Sequence, residues 1–518
     1  MKYLLKKILI PFLAVMLVVS CKDQWETHNA LNHAVLAETL EQLVSTTPSL
    51  STFNEYLKKT GYDKILASSK VFTVWAPSND ALSGLDQSIV NDTAKLKQFV
   101  SNHIAYQEYP MEQTSDIKIK MINGKNLPYS YHDKKIDSIA LDTTKSDQFC
   151  RNGILHLISA PIYPKDNIWT YFMGQTDASV STQQSYLSLT VKTFDQAHSV
   201  PVGTNSDGNT IYDTVWVNKN IFLSNVCDVS NEDSVYTFFV LNNTVSDNEA
   251  AILKPYMADT TKNPLLNMTN IYAYENAFVD VVVRGKYTRD NLPDSFYSTN
   301  GIKIYKQNIV IENYYNASNG SVFTVSGFHI PLKDKIPTIV IEGENFSSLR
   351  GTNFNYLTRD KVPLLGIRAR SWASGGYDVQ VPGGTTGHVT PYLGIGYYSP
   401  YLYTLTYQVY WRAVNDFQSS SFTQKLAIVP DSLTPGRKLV DISAVSGMNY
   451  IRATQYRGDT LVKMKTVQPN IFSEVLLGKL TNPQYSRLWI YLAANEINSG
   501  SYNDPIVLDY IKLVPVIN

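Results

Sequence analysis

Apolar residues recur at helical spacing in the first third of this chain and at strand spacing in its last third. Leu36, Leu40, Leu43 and Val44 fall on one helical face. Thr47 followed by Pro48 predicts a second helix, capped by Thr47 with Pro48 in its first turn. Leu50, Phe53 and Leu57 form that helix's apolar stripe, and Gly61 supplies its stop. Thr93 predicts the cap of a third helix that buries Leu96, Phe99 and Val100, with His103 continuing the face as a hydrogen-bonded core histidine. Between these helices, Val71 to Asn79 reads as a strand entering a turn. The same hydrophobic plan returns at Val235 to Asn243, 164 positions later (71 to 235). Asn152-Gly153-Ile154-Leu155-His156 likewise returns as Asn319-Gly320-Ser321-Val322-Phe323, 167 positions later (152 to 319). Two motifs repeating in order at nearly one spacing predict a duplicated domain, and two copies are too few for a solenoid.

From about Pro337 the repeat stops. Ile339 to Glu344 opens a strand and Ile506 to Val514 closes the chain with another, with Tyr403–Trp411 and Leu488–Leu492 as strands between them. Leu405, Tyr407, Val409 and Trp411 alternate onto one face. Segments rich in Gly, Pro and Ser separate these runs and long helical stripes are absent, the pattern of a β-sandwich.

The first copy resembles a fasciclin domain. That family shows a strand and turn of the form T-V-F-A-P-T-N-x-A, and Thr73 to Ala81 reads T-V-W-A-P-S-N-D-A. Its L…H-V helix is matched by Leu96 to Ile104, its internal N-G hairpin by Ile122-Asn123-Gly124, and its closing N-G-V-I-H-V-I…P by Asn152 to Pro164. The second copy keeps the outer motifs but lacks the Pro after its first strand and the His. The resemblance implies tandem α+β fasciclin-like domains at 31–165 and 166–335, the second divergent, and a family role in adhesion.

The last region, 336–518, resembles the jelly-roll carbohydrate-binding modules with a galactose-binding-like sandwich. Their first strand carries E-x-E and their last L-D-Y-I-x-L, as Glu342/Glu344 and Leu508 to Leu513 do here. The resemblance implies a structural calcium ion, with Glu342, Glu344 and Asp509 as the matching carboxylates. Residues i and i+2 of a strand point the same way, and calcium takes several hard oxygen ligands. The expected fold class is therefore α+β tandem fasciclin-like domains followed by an all-β jelly-roll sandwich.

Sugar rings present apolar C–H faces that stack on exposed aromatic rings. The candidates are Trp372, Tyr377, Tyr392, Tyr397, Tyr398 and Tyr401, set among Gly375-Gly376, Gly383-Gly384 and Gly394. Glycines there let a backbone approach a ligand. Arg368, Arg370 and Asp378 are the polar groups nearest in sequence for hydroxyl contacts.

The N-terminus adds a location. Lys2, Lys6 and Lys7 precede an apolar run, Ile8 to Val19, that is too short to span a membrane and is interrupted by Pro11. Val18-Val19-Ser20-Cys21 resembles a bacterial lipobox, implying a signal peptide at 1–21 with lipidation at Cys21 and a polar tether at 22–30. Lys22 is not the Asp that signals inner-membrane retention, so the expected location is the outer membrane, lipid-anchored and facing outward. Such tethers occur on surface lipoproteins of glycan-foraging bacteria.

Composition excludes several classes. Lys+Arg and Asp+Glu are both 45, so no global field draws nucleic acid. Tyr numbers 35, and a ring with a wet hydroxyl suits extracellular recognition. Apart from Cys21, only Cys150 and Cys227 occur; they fall in different copies and are expected as buried free thiols. No phosphate-binding Gly-Lys loop, nucleophile elbow, His-Glu-x-x-His or dinucleotide fingerprint is present. The expectation is a non-catalytic surface lipoprotein that needs no cofactor. It would bind glycan or serve SusC/SusD-type importer proteins; the alternative is an adhesion or scaffold lipoprotein that binds proteins through its fasciclin domains.

Overall fold

A computed structural model describes residues 38–112, 115–259, 268–350, 356–357, 365–381, 384–385, 394–430, 461–494 and 502–517. Cys21 with its leader and tether, Leu36 and Tyr392 lie outside the described residues.

In the first unit, helices Leu40–Thr46, Ser51–Thr60 and Thr93–Ser101 pack on a four-stranded sheet. Its strand order is Ile104–Tyr106, Phe72–Pro77, Gly153–Ile158, Gln148–Cys150. The central pair is parallel, with Phe72 opposite Gly153, and the flanking pairs are antiparallel. Every residue of both central strands is buried, so they read as continuous apolar runs without alternation. Leu40, Val44, Phe53, Leu57, Leu96, Phe99 and Val100 fill the core between helices and sheet. Gly61 takes the left-handed conformation that ends its helix (φ 77°).

Two caps differ from expectation. Thr47 caps nothing: its hydroxyl donates back to Leu43 O at 2.7 Å, and Pro48–Leu50 makes a 3-10 turn before the helix begins. Asp92, and not Thr93, caps the third helix, its carboxylate accepting from Ala94 N and Lys95 N, because an ionised acceptor holds orphan amides more strongly than a hydroxyl.

The second unit repeats this plan. Its sheet order is Val282–Arg284, Tyr236–Leu241, Gly320–Phe328, Ile309–Ala317, again with a parallel central pair in which Tyr236 faces Gly320. The buried polar contacts repeat as well. Asn152 Oδ1 accepts from Leu40 N while its amide donates to Leu66 O and Ser68 O. Asn319 Oδ1 accepts from Ile168 N while its amide donates to Val229 O and Asn231 O. Thr73 and Thr237 each donate from the first central strand to a loop carbonyl and accept a loop amide. Asn79 and Asn243 each tie a turn to the start of the second helix. An Asn-Gly turn the sequence reading missed, Asn300-Gly301, stands where Asn123-Gly124 stands in the first copy, with φ 80° and 85° at the glycines.

The copies differ where a helix turns. Only Gly61 separates Ser51–Thr60 from Tyr62–Leu66, whereas residues 188–220 separate Ser181–Leu187 from Ile221–Asn225. They form a β-arm of two ladders, 190–194 with 216–220 and 200–204 with 210–213.

The last unit is a sandwich whose ladders are all antiparallel among the described residues. One sheet runs Ile339–Glu342, Tyr510–Pro515, Thr406–Arg412, Val475–Thr481. The other has six strands, with Gly394–Tyr398, Leu488–Ala494 and Phe422–Pro430 at its centre. A smaller sheet joins Gly366–Ala369, Tyr377–Val381 and Ile506–Leu508. Leu405, Tyr407, Val409 and Trp411 all point into the core, as their alternation predicts. The terminal strand breaks at Asp509, so the expected run from Ile506 to Val514 is two strands in two sheets. The molecule is thus α+β tandem fasciclin-like units followed by an all-β sandwich. Cys150 and Cys227 are buried and free, which excludes a staple between the copies. No helix among the described residues is long and apolar enough to cross a membrane.

Candidate functional site

The structure disperses the ring cluster expected at 372–401. Tyr397 points inward from its strand, is 0% exposed, and donates its hydroxyl to Gly343 O at 2.9 Å. It is a core residue and presents no face to a ligand, a consequence of strand alternation that sequence proximity concealed. Tyr398, its neighbour, points outward and lies opposite Trp489 in the ladder, with ring centroids 3.5 Å apart. Trp372 is half-buried, edge-on to Phe472 and beneath the Arg412 guanidinium. Tyr377 is exposed at the start of its strand, after Gly375 and Gly376 at φ 61° and 84°. Tyr401 faces the second fasciclin-like unit and stacks on Tyr485.

Exposed rings on the sandwich therefore centre on two antiparallel segments, 397–402 and 485–490. They are tied by Ser399 N to Leu488 O and by the Leu402–Ser486 bridge. Trp489, Tyr485 and Arg487 were missed from sequence because their partners are nearly 90 positions away in the chain, as Tyr398 is from Trp489 (398 to 489). The available signal was an aromatic and a cation flanking a predicted strand, Tyr485-Ser486-Arg487.

The expected polar contacts are engaged elsewhere. Arg368 forms a two-pronged pair with buried Asp378 and reaches Asp416 at 2.8 Å, while Arg370 meets Asp416 at 2.9 Å. This network ties the Gly366–Ala369 hairpin to the 413–417 turn and leaves these groups no role in ligand contact.

The three expected metal carboxylates gather around the Ser374-Gly375 turn. Glu342 Oε1 accepts from the Ser374 hydroxyl at 2.8 Å, and Asp509 Oδ1 accepts from Ser374 N at 2.9 Å. Asp509 Oδ2 accepts from Arg412 at 3.0 Å. Glu342 Oε2 and Glu344 Oε2 are buried with no hydrogen-bond partner. Burial, helped by the Glu342 charge, raises the Glu344 carboxyl above the usual range and pushes Asp509 up to about 6. Two orphaned carboxylate oxygens fit a hard cation. Asp509, held by Arg412 and Ser374, does not close the set: among the described residues no three acidic, His or Cys side chains converge as a metal-holding group.

His103 is a core histidine. Its ring is 0% exposed, with Nδ1 2.8 Å from Phe99 O and Nε2 accepting from Ile162 N at 3.0 Å, and burial pushes it down to about 4.

Comparison with known proteins agrees with this geometry for the first copy. Residues 48–164 match the family model of the fasciclin domain. A Synechocystis protein, sll1483, is 23% identical over 134 residues, 25% of this chain and 74% of that protein. Among solved structures, the FAS1 domain pair of the insect cell adhesion molecule fasciclin I is 13% identical, covering 56% of this chain and 99% of that one at a TM-score of 0.21 or below, namely 0.20. The C-terminal CBM6 of the marine laminarinase LamC from Zobellia galactanivorans is 10% identical, covering 34% of this chain and 99% of that one at a TM-score of 0.20. A Podospora anserina GH26-CBM35 β-(1,4)-mannanase is 14% identical over 35% of this chain, at a TM-score of 0.21, and only 28% of its own length is covered. Likeness at these scores carries no activity across. The matched segment coincides with the strand, helix and Asn-Gly elements described above, and residues 48–164 are a fasciclin domain.

Proposed function

We propose that this chain is a non-catalytic, lipid-anchored outer-membrane surface protein that binds glycan through its sandwich. The two fasciclin-like units would act as stalk and docking surface for SusC/SusD-type importer proteins. The observation that carries the glycan reading is the outward-facing Tyr398–Trp489 pair on a rigid antiparallel ladder. Ring faces fixed on strands contribute about 0.5–1.5 kcal/mol each beyond area burial, if aromatic-pair values transfer to sugar faces. In this reading Cys21 carries the anchor, and Glu342 and Glu344 seat a structural calcium ion that would neutralise their orphaned oxygens. Glycan arrays followed by calorimetry on the full chain test it: binding weakened by Tyr398→Ala and by Trp489→Ala supports the reading, and silence across a broad polysaccharide panel ends it.

A second reading, adhesion or scaffolding, is favoured by the β-arm. Val200 and Val202 are 60% and 62% exposed there and Trp216 is 52% exposed, a concentration of apolar surface that monomeric proteins seldom leave on a protruding ribbon. Purification from solubilised outer membrane separates the two: protein capture lost on deleting 190–219, with no sugar binding, supports the scaffold.

A further inference from the structure

The second fasciclin-like unit and the sandwich do not close fully on each other. Between them lies a cleft of about 650 Å3, inside the ~300–1,000 Å3 range of small-molecule sites. Its helical wall carries Tyr186 on Ser181–Leu187, Tyr272 and Glu275 on Met268–Phe278, and Asn225 at the end of Ile221–Asn225. The opposite wall is Tyr401, Tyr485 and Arg487 of the sandwich.

The walls are held in place from behind. Asn276 donates to Tyr485 Oη at 3.4 Å and accepts from Tyr403 Oη at 3.4 Å, and Tyr272 packs on Tyr485 with centroids 5.2 Å apart. Lys335 pairs with Asp280 in full burial, just beneath Tyr403, whose hydroxyl reaches Lys335 O. The cleft is therefore preformed, which reduces the ordering cost of binding.

Its chemistry is specific. Tyr401 is 49% exposed, lies 29° off parallel to Tyr485 at 5.3 Å, and carries the Arg487 guanidinium 5.3 Å from its ring. Glu275 is half-buried, and desolvation raises its carboxyl; its charge also reaches Tyr186, Tyr272 and Tyr485. Neither Glu275 nor Arg487 forms an ion pair among the described residues. One acid and one base leave the cleft without net charge, which selects against phosphates and polycations. Flat ring faces bordered by a carboxylate, a guanidinium, an amide and phenol hydroxyls suit a ligand with apolar C–H faces and a rim of hydroxyls.

We propose that this seam cleft binds a neutral oligosaccharide, gripped between the second fasciclin-like unit and the sandwich. The proposal rests on the glycan-binding reading but on residues separate from the Tyr398–Trp489 pair. The test titrates the full chain with neutral gluco-, xylo-, manno- and galacto-oligosaccharides, using calorimetry for affinity and hydrogen–deuterium exchange for location. The expected result is protection of both 268–278 and 485–487. Glu275→Gln and Tyr401→Ala should each weaken binding roughly tenfold or more, as loss of a charge-assisted hydrogen bond or a stacking face predicts. Arg487→Ala, at an exposed position, does the same without touching the core. Tyr398→Ala leaves this site unchanged. If binding survives the three cleft variants and protection is confined to 394–398 and 488–494, the seam proposal is overturned while the glycan reading stands. Binding of acidic sugars alone overturns the neutral-ligand assignment, and absence of heat and protection with every sugar overturns both.

Discussion

The two fasciclin-like units share a backbone plan and a set of buried polar contacts, yet they differ at one junction, and that difference decides what each can attach to. Trp75 N donates to His103 O in the first copy and Phe239 N to Val281 O in the second, so His103 and Val281 are equivalent, as are Asn102 and Asp280 before them. In the first copy this corner is neutral and self-contained: Asn102 donates to Ile162 O and accepts from Asn123. In the second it is an acid, 1% exposed, that accepts from Ser298 and pairs with Lys335. Lys335 leads directly into the first strand of the sandwich, so the divergent copy has turned an internal polar corner into an anchor for the next unit. The seam between the copies is of another kind. Lys120 meets Asp233 at 2.8 Å, and Lys125 meets Glu232 at 2.5 Å, with Ser318 joining that pair. A charged seam of this type weakens with salt; the ring-packed seam to the sandwich does not.

The comparison is broken most severely at the glycines both copies share. A Cβ on Gly153 would stand 1.9 Å from Phe72 O, and one on Gly320 1.8 Å from Tyr236 O, at φ 148° and 154°. Gly153→Ala and Gly320→Ala should each disrupt the parallel ladder of their own copy by more than about 4 kcal/mol; proteolysis mapped by mass spectrometry should show only the mutated copy opening. Next comes Lys335→Met, which strands Asp280 in the interior. About 3–5 kcal/mol should be lost, seen as a lower urea midpoint and as faster exchange in 268–278 and 339–342.

Acid separates the copies by a smaller amount. His103 is held neutral with its pKa lowered to about 4, below the unfolded value, so the neutral form is the stabilising one. The first copy keeps this contribution above about pH 6.5 and loses it as pH falls toward 4, about 3 kcal/mol in all. The second copy, with Val281 there, lacks this loss, and exchange measured at pH 7 and 4.5 should show protection falling in 93–104 more than in 268–283. His103→Leu should flatten that dependence. The smallest effect belongs to the inter-copy seam: Lys125→Ala should cost about 1 kcal/mol, and raised salt should mimic it, read as a loosened relation between the copies in small-angle scattering.

Much of the fold was legible because it depends on local or periodic signals. Full burial of the parallel strand pairs, the alternation of Leu405 to Trp411, the Gly61 stop and the Asn-Gly motifs all leave marks within a few residues of where they act. The Asn-Gly motif also has a reason the sequence does not state: Asn152 and Asn319 each join three backbone groups from separate segments, and the glycine lets the next strand pass beneath a carbonyl. The caps at Thr47 and Thr93 were misplaced by one choice between adjacent polar residues, which only hydrogen-bond geometry resolves.

The candidate site was less legible. The chain by itself determined that rings are abundant around 372–401, that acids recur at i and i+2 on the opening strand, and that two copies precede a sandwich. Tertiary structure decided which rings face water, because a one-residue step along a strand sends Tyr397 into the core and Tyr398 outward. It also brought Tyr485 and Arg487 to Tyr401, and Glu275 to all of them, across separations that no local pattern encodes. Side-chain direction is a short-range property of the backbone, whereas a binding surface is a sum over distant segments, and only packing performs that sum.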